Sequence, residues 1–118
     1  MKEIRQAIEN FIKGGDTNDT DLLEQVLHPN YQNIQDGFFD QSGIFVISKE
    51  EYIRLVRDKV FGGKPRTVTY HSLERKNNIA YAQLFLESPV LRFSSLITCV
   101  LEHAEWLVIS NIPTIELK

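Results

Sequence analysis

The amino-acid sequence predicts an α+β fold: three helices with one early strand pair, then a run of antiparallel strands. Three observations carry that prediction. Up to Phe61, apolar residues recur with helical spacing in three separate segments. From Arg66 onward the period shortens to that of extended chain. The later segments are joined by the short connections Lys76-Asn77-Asn78, Ser88-Pro89 and His103-Ala104, which bring successive strands back antiparallel as a meander. With 118 residues, no internal repeat and no linker-like tract, residues 1–118 form a single domain that can bury a core without disulfide or metal support.

In the first helix Ile4, Ala7, Ile8, Phe11 and Ile12 fall at i, i+3, i+4, i+7 and i+8, one apolar stripe on a charged surface. Gly14-Gly15 is expected to end it, because glycine enters the left-handed conformation cheaply. The oxygens between Asp16 and Asp21 can cap the next helix, with Asp21 and Glu24 spaced as a capping box and Asp19 or Thr20 as alternatives. On this reading Asp16 is architectural. Leu22, Leu23, Val26 and Leu27 give the short second helix its buried side, and His28-Pro29 stops it. "YQNIQ" reads as a short strand closed by an Asp36-Gly37 turn, and "FFDQSGIFVI" is ambiguous. Ser48 and Glu51 form Ser-x-x-Glu, opening a third helix with Tyr52, Leu55, Val56 and Val60 inward and Gly62-Gly63 at its end.

Four strands follow: "RTVTYHSLER", "NIAYAQLFLE", "LRFSSLITCVLE" and "EWLVISNI". Within them "AYAQLFL", "SSLITCVL" and "WLVI" are apolar on both faces, whereas a sheet with one wet face should alternate. The helices can cover one face. A second copy of the chain is the economical cover for the other, so a symmetric homodimer through the outer sheet face is expected.

Composition narrows the function classes. A formal net charge of −3 argues against a nucleic-acid partner, which wants a basic stripe. No window approaches the roughly 18 uninterrupted apolar residues of a spanning helix, so no membrane association is expected. The opening "MKEIRQAIEN" lacks a secretory apolar block. A single cysteine, Cys99, cannot form an internal disulfide, and a cytoplasmic location is the expectation.

The order of elements, with "NFIKGGDTNDTDLLEQVLHPNYQNI" at the front and "LITCVLEHAEWLVISNI" at the back, resembles the nuclear transport factor 2-like superfamily. Within it the chain is most similar to the SnoaL-like and putative lumazine-binding groups. The features that carry the resemblance are a first helix running into Gly-Asp, a short helix ending near His-Pro, and a late turn followed by a tryptophan strand. The resemblance implies a cone, a curved antiparallel sheet wrapped around three helices of the N-terminal half and enclosing an apolar pocket. Members include isomerases, cyclases, dehydratases, epoxide hydrolases and non-enzymes, so fold alone does not select a function.

On that cone, Phe11, Tyr31, Phe38, Tyr52, Val56, Ala80, Ala82, Leu84, Leu96, Thr98, Ile109 and Asn111 are the expected ligand-lining residues, with Leu107 as a further inward position. Ala80 and Ala82 share a face with Leu84 and Leu86 and would leave room for a ligand; equally, they would let the first helix pack close. Aromatics in a domain of this size are more often core, but an open cavity would give them a flat heterocycle to stack on.

Asp36 is the sharpest catalytic candidate. "QNIQDG" sits where ketosteroid isomerase-like members carry a general-base aspartate, and a carboxylate at the mouth of an apolar cavity can act in proton transfer. The pattern departs from those enzymes, because the first helix offers Ile8 and Phe11 where a tyrosine is needed, and the late strand offers Leu96 and Thr98 where an acid is needed. His28, His71 and His103 form no metal-binding spacing, and neither metal nor cofactor is expected. Cys99 lies in an apolar strand without a basic neighbour and reads as a small hydrophobe. Gly62-Gly63 before Lys64-Pro65-Arg66 could meet an anion, although a solvated loop is the plainer account. Three functional readings remain: a binder of a small organic molecule in an apolar pocket, an isomerase- or cyclase-type enzyme using Asp36 as base, and a dimeric interaction domain with a filled core.

Overall fold

The computed structural model describes residues 1–118. Helices α1 (Lys2–Asp16) and α2 (Thr20–Val26) precede the hairpin of β1 (Leu27–Phe38) and β2 (Gln41–Ser48). Helix α3 (Lys49–Arg57) leads to the meander of β3 (Thr67–Lys76), β4 (Ile79–Glu87), β5 (Leu91–Glu102) and β6 (Glu105–Leu117). One six-stranded sheet results, in the order β2-β1-β6-β5-β4-β3. Neighbours are antiparallel except β1 and β6, whose parallel pairing joins the early hairpin to the meander.

The apolar stripe of α1 is buried as its spacing predicts: Ile4, Ala7, Ile8, Phe11 and Ile12 join one core with Leu23, Val26, Tyr52, Val56, Ile97 and Val108. Ala80, Ala82 and Leu84 are fully covered in that same core. Cys99 is buried there too, and burial pushes its thiol up to about 12, so it stays protonated and packs as a small hydrophobe.

The two double glycines do different work from that expected. Gly14 and Gly15 lie inside the last turn of α1 and are buried, and the left-handed conformation falls on Asn18 (φ 52°). Their lack of a side chain serves close approach. A Cβ on Gly14 would stand 2.7 Å from Leu23 Cδ2, and one on Gly62 would stand 2.0 Å from the Gly15 carbonyl oxygen. The Gly63 N–H donates to that same oxygen at 3.0 Å. Helix α3 stops well before Gly62-Gly63: it ends at Arg57, Lys59 turns left-handed (φ 60°), and Val60 is left 44% exposed rather than inward.

Four hydrogen bonds hold this corner. The Asn18 carboxamide donates to the carbonyls of Val56 (2.9 Å) and Phe61 (3.1 Å), tying the end of α1 to the end of α3. Asp16 accepts from Arg66 Nε at 2.7 Å and from the Arg66 backbone N–H at 3.1 Å. Asp16 is therefore architectural, but as an ion pair across the chain and not as a helix cap. The cap of α2 is Asp19, which accepts from Leu22 N–H at 3.1 Å, and the cap of α3 is Ser48, which accepts from Glu51 N–H. The Glu51 carboxylate pairs with Arg54. Helix α2 stops before His28, which is buried in β1 with Nδ1 accepting from the Asn30 N–H and Nε2 bonded to Glu102 at 2.9 Å.

Two irregularities set the side-chain parity. Asp36-Gly37 is not a hairpin turn. Strand β1 continues to Phe38, the turn is Phe39-Asp40, and Gly37 (φ 92°) stands opposite a bulge whose extra residue lies on β2, between Gln41 and Ile44. In β6, Thr98 pairs with Ser110 while Cys99 pairs with Val108, so Ile109 is an extra, bulged residue. The bulge turns Asn111 inward but leaves Leu107 and Ile109 on the outer face. In β5 the buried residues are Ser95, Ile97 and Cys99, which puts Leu96 and Thr98 on the outer face as well.

The corner generates two stability predictions. Gly62→Ala combines positive-φ strain with an overlap against backbone and should cost about 3–5 kcal/mol. Gly43→Ala, where φ is also positive but the space is open, should cost about 1–2 kcal/mol; chemical denaturation of both isolates the overlap. Asp16→Ala should cost about 2–3 kcal/mol by leaving a largely covered guanidinium unpaired, and Asp16→Ala with Arg66→Met should recover part of the loss.

Candidate functional site

The helices do not fill the whole inward face of the sheet. A cavity of about 650 Å³ remains between the last turns of α1, the far half of β1, the loop joining α3 to β3, and the adjoining ends of β4, β5 and β6. Three zones can be distinguished by chemistry.

The wall is aromatic. Phe11, Tyr52, Phe61 and Phe93 line it, with Phe39 at the mouth. Tyr52 sits 5.9 Å from Phe11 and 5.8 Å from Phe61, centroid to centroid, and Phe61 lies 5.7 Å from Phe38 and 6.3 Å from Phe39. Tyr31 stands behind this wall, 5.3 Å from Tyr52 and 1% exposed. Tilted rings at these separations pack tightly and hold each other in place. Burial pushes the Tyr52 hydroxyl up to about 12, moderated by Arg66 and reinforced by Asp16, so it is un-ionised at neutral pH. The Tyr31 hydroxyl is raised well above its ordinary value, chiefly by burial and then by Tyr52.

The base is polar and uncharged. Asn33, Gln35, Ser95 and Asn111 line the cavity there, and all four are buried. Asn111 Nδ2 donates to Asn33 Oδ1 at 3.1 Å, Asn33 Nδ2 donates to Gln35 Oε1 at 2.7 Å, and Gln35 Nε2 donates to the Gly37 carbonyl at 3.0 Å. Tyr31 Oη lies 3.4 Å from Asn33 Oδ1. Asn111 Oδ1 is buried without a donor.

The rim carries the charge. Asp36 and Lys64 border the mouth with Val90, Ile115 and Leu117, whereas Arg66, largely covered, belongs to the wall. Arg66 is held by Asp16 and lies over Phe93, with its guanidinium carbon 4.7 Å from the ring centroid. Lys64 and Asp36 are exposed.

Of the residues singled out from sequence, Phe11, Tyr52, Asn111 and Asp36 border this cavity. Tyr31, Val56, Ala80, Ala82 and Leu84 are buried core behind it, and Phe38 packs in the aromatic cluster beside it. The alanines thus make close packing, not ligand room. Leu96, Thr98 and Ile109 lie on the opposite face of the sheet for the reasons of parity given above. Asp36 reaches only the exposed edge; the side chains that enter from β1 are its neighbours Asn33 and Gln35. His71 occupies an exposed bulge in β3 and His103 a turn at φ 51°.

Sequence reasoning passed over Asn33, Gln35 and Ser95. A signal was present for the first two. In "YQNIQ", Tyr31, Asn33 and Gln35 share one face at period two, so burial of the tyrosine carries both carboxamides inward.

Comparison with known proteins matches the chain over residues 1–112 to the family described as putative lumazine-binding. No curated protein matches it. Among solved structures, an NTF2-like protein of unknown function from Silicibacter pomeroyi superposes with a TM-score of 0.83 at 15% identity, covering 98% of this chain and 94% of that one. One from Shewanella baltica gives 0.83 at 13% identity, covering 98% and 92%. An NTF2-like protein from Cytophaga hutchinsonii gives 0.73 at 16% identity, covering 94% and 93%. The cone of three helices and a six-stranded, mostly antiparallel sheet is thus the NTF2-like fold.

Proposed function

This chain belongs to the putative lumazine-binding family, and from that premise we propose that it binds a flat, neutral organic molecule, a bicyclic or tricyclic heterocycle of the lumazine kind, in its cavity. The observation that carries the reading is the cavity's division into an aromatic wall and an uncharged polar base, within about 650 Å³. That volume falls in the range of small-molecule sites, and a few placed polar groups in an apolar lining are what such sites use for orientation. Tyr52, Phe61 and Phe93 give the wall its aromatic surface, with the Arg66 guanidinium over the Phe93 ring.

Catalysis has less support. The base of the cavity holds carboxamides and a hydroxyl, which neither store nor release a proton at neutral pH. The Tyr52 hydroxyl, at about 12, is a poor proton donor or acceptor there. Asp36, the candidate general base, is exposed at the edge. An interaction domain with a filled core would leave this volume occupied by side chains.

The outer sheet face supports a second element of the proposal, a twofold homodimer. Ile79 and Tyr81 on β4, Leu96 on β5 and Ile112 on β6 are 40–50% exposed, and Leu96 and Ile112 are direct cross-strand neighbours. A contiguous apolar patch across three strands is costly to leave in water.

Calorimetry and thermal shift with lumazine and other flat neutral heterocycles test the binding. A saturating ligand should raise the melting temperature by several degrees. Ser95→Phe, which places a ring in the cavity from a buried lining position, should remove the shift while leaving the far-ultraviolet spectrum intact. A panel that stabilises nothing would sink the reading. For the dimer, light scattering after size exclusion should give twice the chain mass at micromolar concentration and the monomer mass for Leu96→Glu; a monomeric wild type at tens of micromolar overturns it.

A further inference from the structure

Where β5 and β6 meet the mouth of the cavity, their apolar side chains turn to the concave side and their charged ones to the outer side. In "PTIEL" the two kinds alternate. Pro113, Ile115 and Leu117 are the cross-strand partners of Ser95, Phe93 and Leu91, direct partners share a face, and all of them line the cavity. Arg92 and Glu116 are partners on the other face, where Glu87 accepts from Arg92 at 3.2 Å and pairs with Lys118 at 3.2 Å. Such alternation belongs to a strand with one covered face. Here the apolar face is left open: Ile115 is 46% and Leu117 81% exposed.

Three more exposed apolar side chains line the same cavity: Phe39 from the β1–β2 turn, Val60 from the segment after α3, and Val90 from the β4–β5 turn. Phe39 is also held at φ 57°, a left-handed conformation that a bulky residue adopts at a cost. Single surface hydrophobes need no explanation, but a set gathered from four segments at one opening marks a binding surface. Its continuity decides what it binds. A standard protein interface uses about 20–30 residues a side, far more than this ring supplies. A bilayer presents anionic headgroups, yet Asp36 lines the opening and Asp40 follows Phe39 in the turn. The ring is instead an outward extension of the aromatic wall, around one space of about 650 Å³. That volume suits a drug-sized ligand better than a bare bicyclic ring.

We propose that the ligand is an amphiphile, a flat neutral ring system carrying a hydrocarbon chain. The ring lies between the aromatic wall and the polar base, and the chain leaves through the mouth over Ile115, Leu117, Val90, Val60 and Phe39. The proposal deepens the binding reading above and rests on it. The chain supplies the cover that the alternation of β6 calls for. Because these lips offer no hydrogen bond to it, they select for length and apolarity alone.

Chain length is therefore the readout. Prodan, a flat neutral naphthalene with a propionyl group, and its hexanoyl homologue share one fluorescent ring and differ by three methylenes. Full burial of a methylene strengthens binding about fourfold; half covered at the mouth, each should give about twofold, so the homologue should bind about eightfold tighter. Ile115→Gln with Leu117→Gln changes two exposed positions. It should bind prodan within about twofold of the wild type and shrink the gain to about twofold. Equal affinity of the two homologues in the wild type overturns the proposal. So does a gain that survives in the double variant, because the chain then lies inside the cavity or on the outer sheet face. Wild-type binding to phosphatidylcholine vesicles that the double variant loses overturns it in favour of a bilayer, and loss of the dimer mass in that variant overturns it in favour of a second copy. Should the double variant not fold, Val90→Gln, in the turn, takes its place. If neither homologue binds, the cavity-binding reading has failed and the chain assignment falls with it; prodan binding without a gain sinks the chain assignment alone.

Discussion

The Gly62–Gly15 approach is the constraint on which the rest of the structure depends. The Gly62 α-carbon sits so close to the Gly15 carbonyl that no side chain fits between them. That contact, with Gly63 N–H on the same oxygen and Asn18 bridging the Val56 and Phe61 carbonyls, locks the end of α1 to the segment after α3. The segment so fixed carries Phe61, Lys64 and Arg66, which form one side of the cavity. Because Asp16 holds the Arg66 guanidinium over Phe93, one ion pair also joins the helical side of the cavity to β5. A rigid corner of backbone therefore keeps the cavity open, where ordinary side-chain packing would tend to close it.

The polar base depends on the sheet in a complementary way. Gly37 faces the bulge of β2, and its carbonyl anchors the chain of carboxamides from Gln35 to Asn111. Asn111 reaches that chain only because the bulge at Ile109 shifts the parity of β6. The parallel pairing of β1 with β6, in which Asn33 and Asn111 are register partners, thus brings the two into contact across 78 residues of sequence. Bulges are a familiar means of re-aiming a side chain near a site, and here the one at Ile109 aims Asn111.

Most of the fold was legible because it rests on local periodicity. The stripe from Ile4 to Ile12, the Ser48 cap and the change of period at Arg66 each predict an element without reference to the rest of the chain. The glycine pairs were not legible in the same way. A helix-ending glycine and a close-approach glycine look alike in sequence, and what separates them is the group across the gap, which is distant along the chain. Strand parity failed for a related reason: Ile109 carries no local mark of being an extra residue, yet it moves Leu107 and Ile109 outward while sending Asn111 in. Leu96 and Thr98 were misplaced because β5 is apolar on both faces, so hydrophobicity alone cannot say which face is inward.

"YQNIQ" shows the deeper limit. Hydrophobicity at Ile34 alone would put that residue in and Asn33 and Gln35 out, whereas Tyr31, on the other parity, points the opposite way. The structure follows Tyr31, with Ile34 half-buried on the outer side and both carboxamides buried. The inversion follows from what each residue meets. Over most of the sheet the inward face meets helices, and apolar residues win there; beneath Asn33 and Gln35 it meets open volume, where a polar side chain can be satisfied by its neighbours along the strand. A sequence rule trained on filled cores has no representation of an unfilled one. The place where patterning fails is therefore the place where the protein has kept space, and the residues it misassigns are the ones that give that space its chemistry.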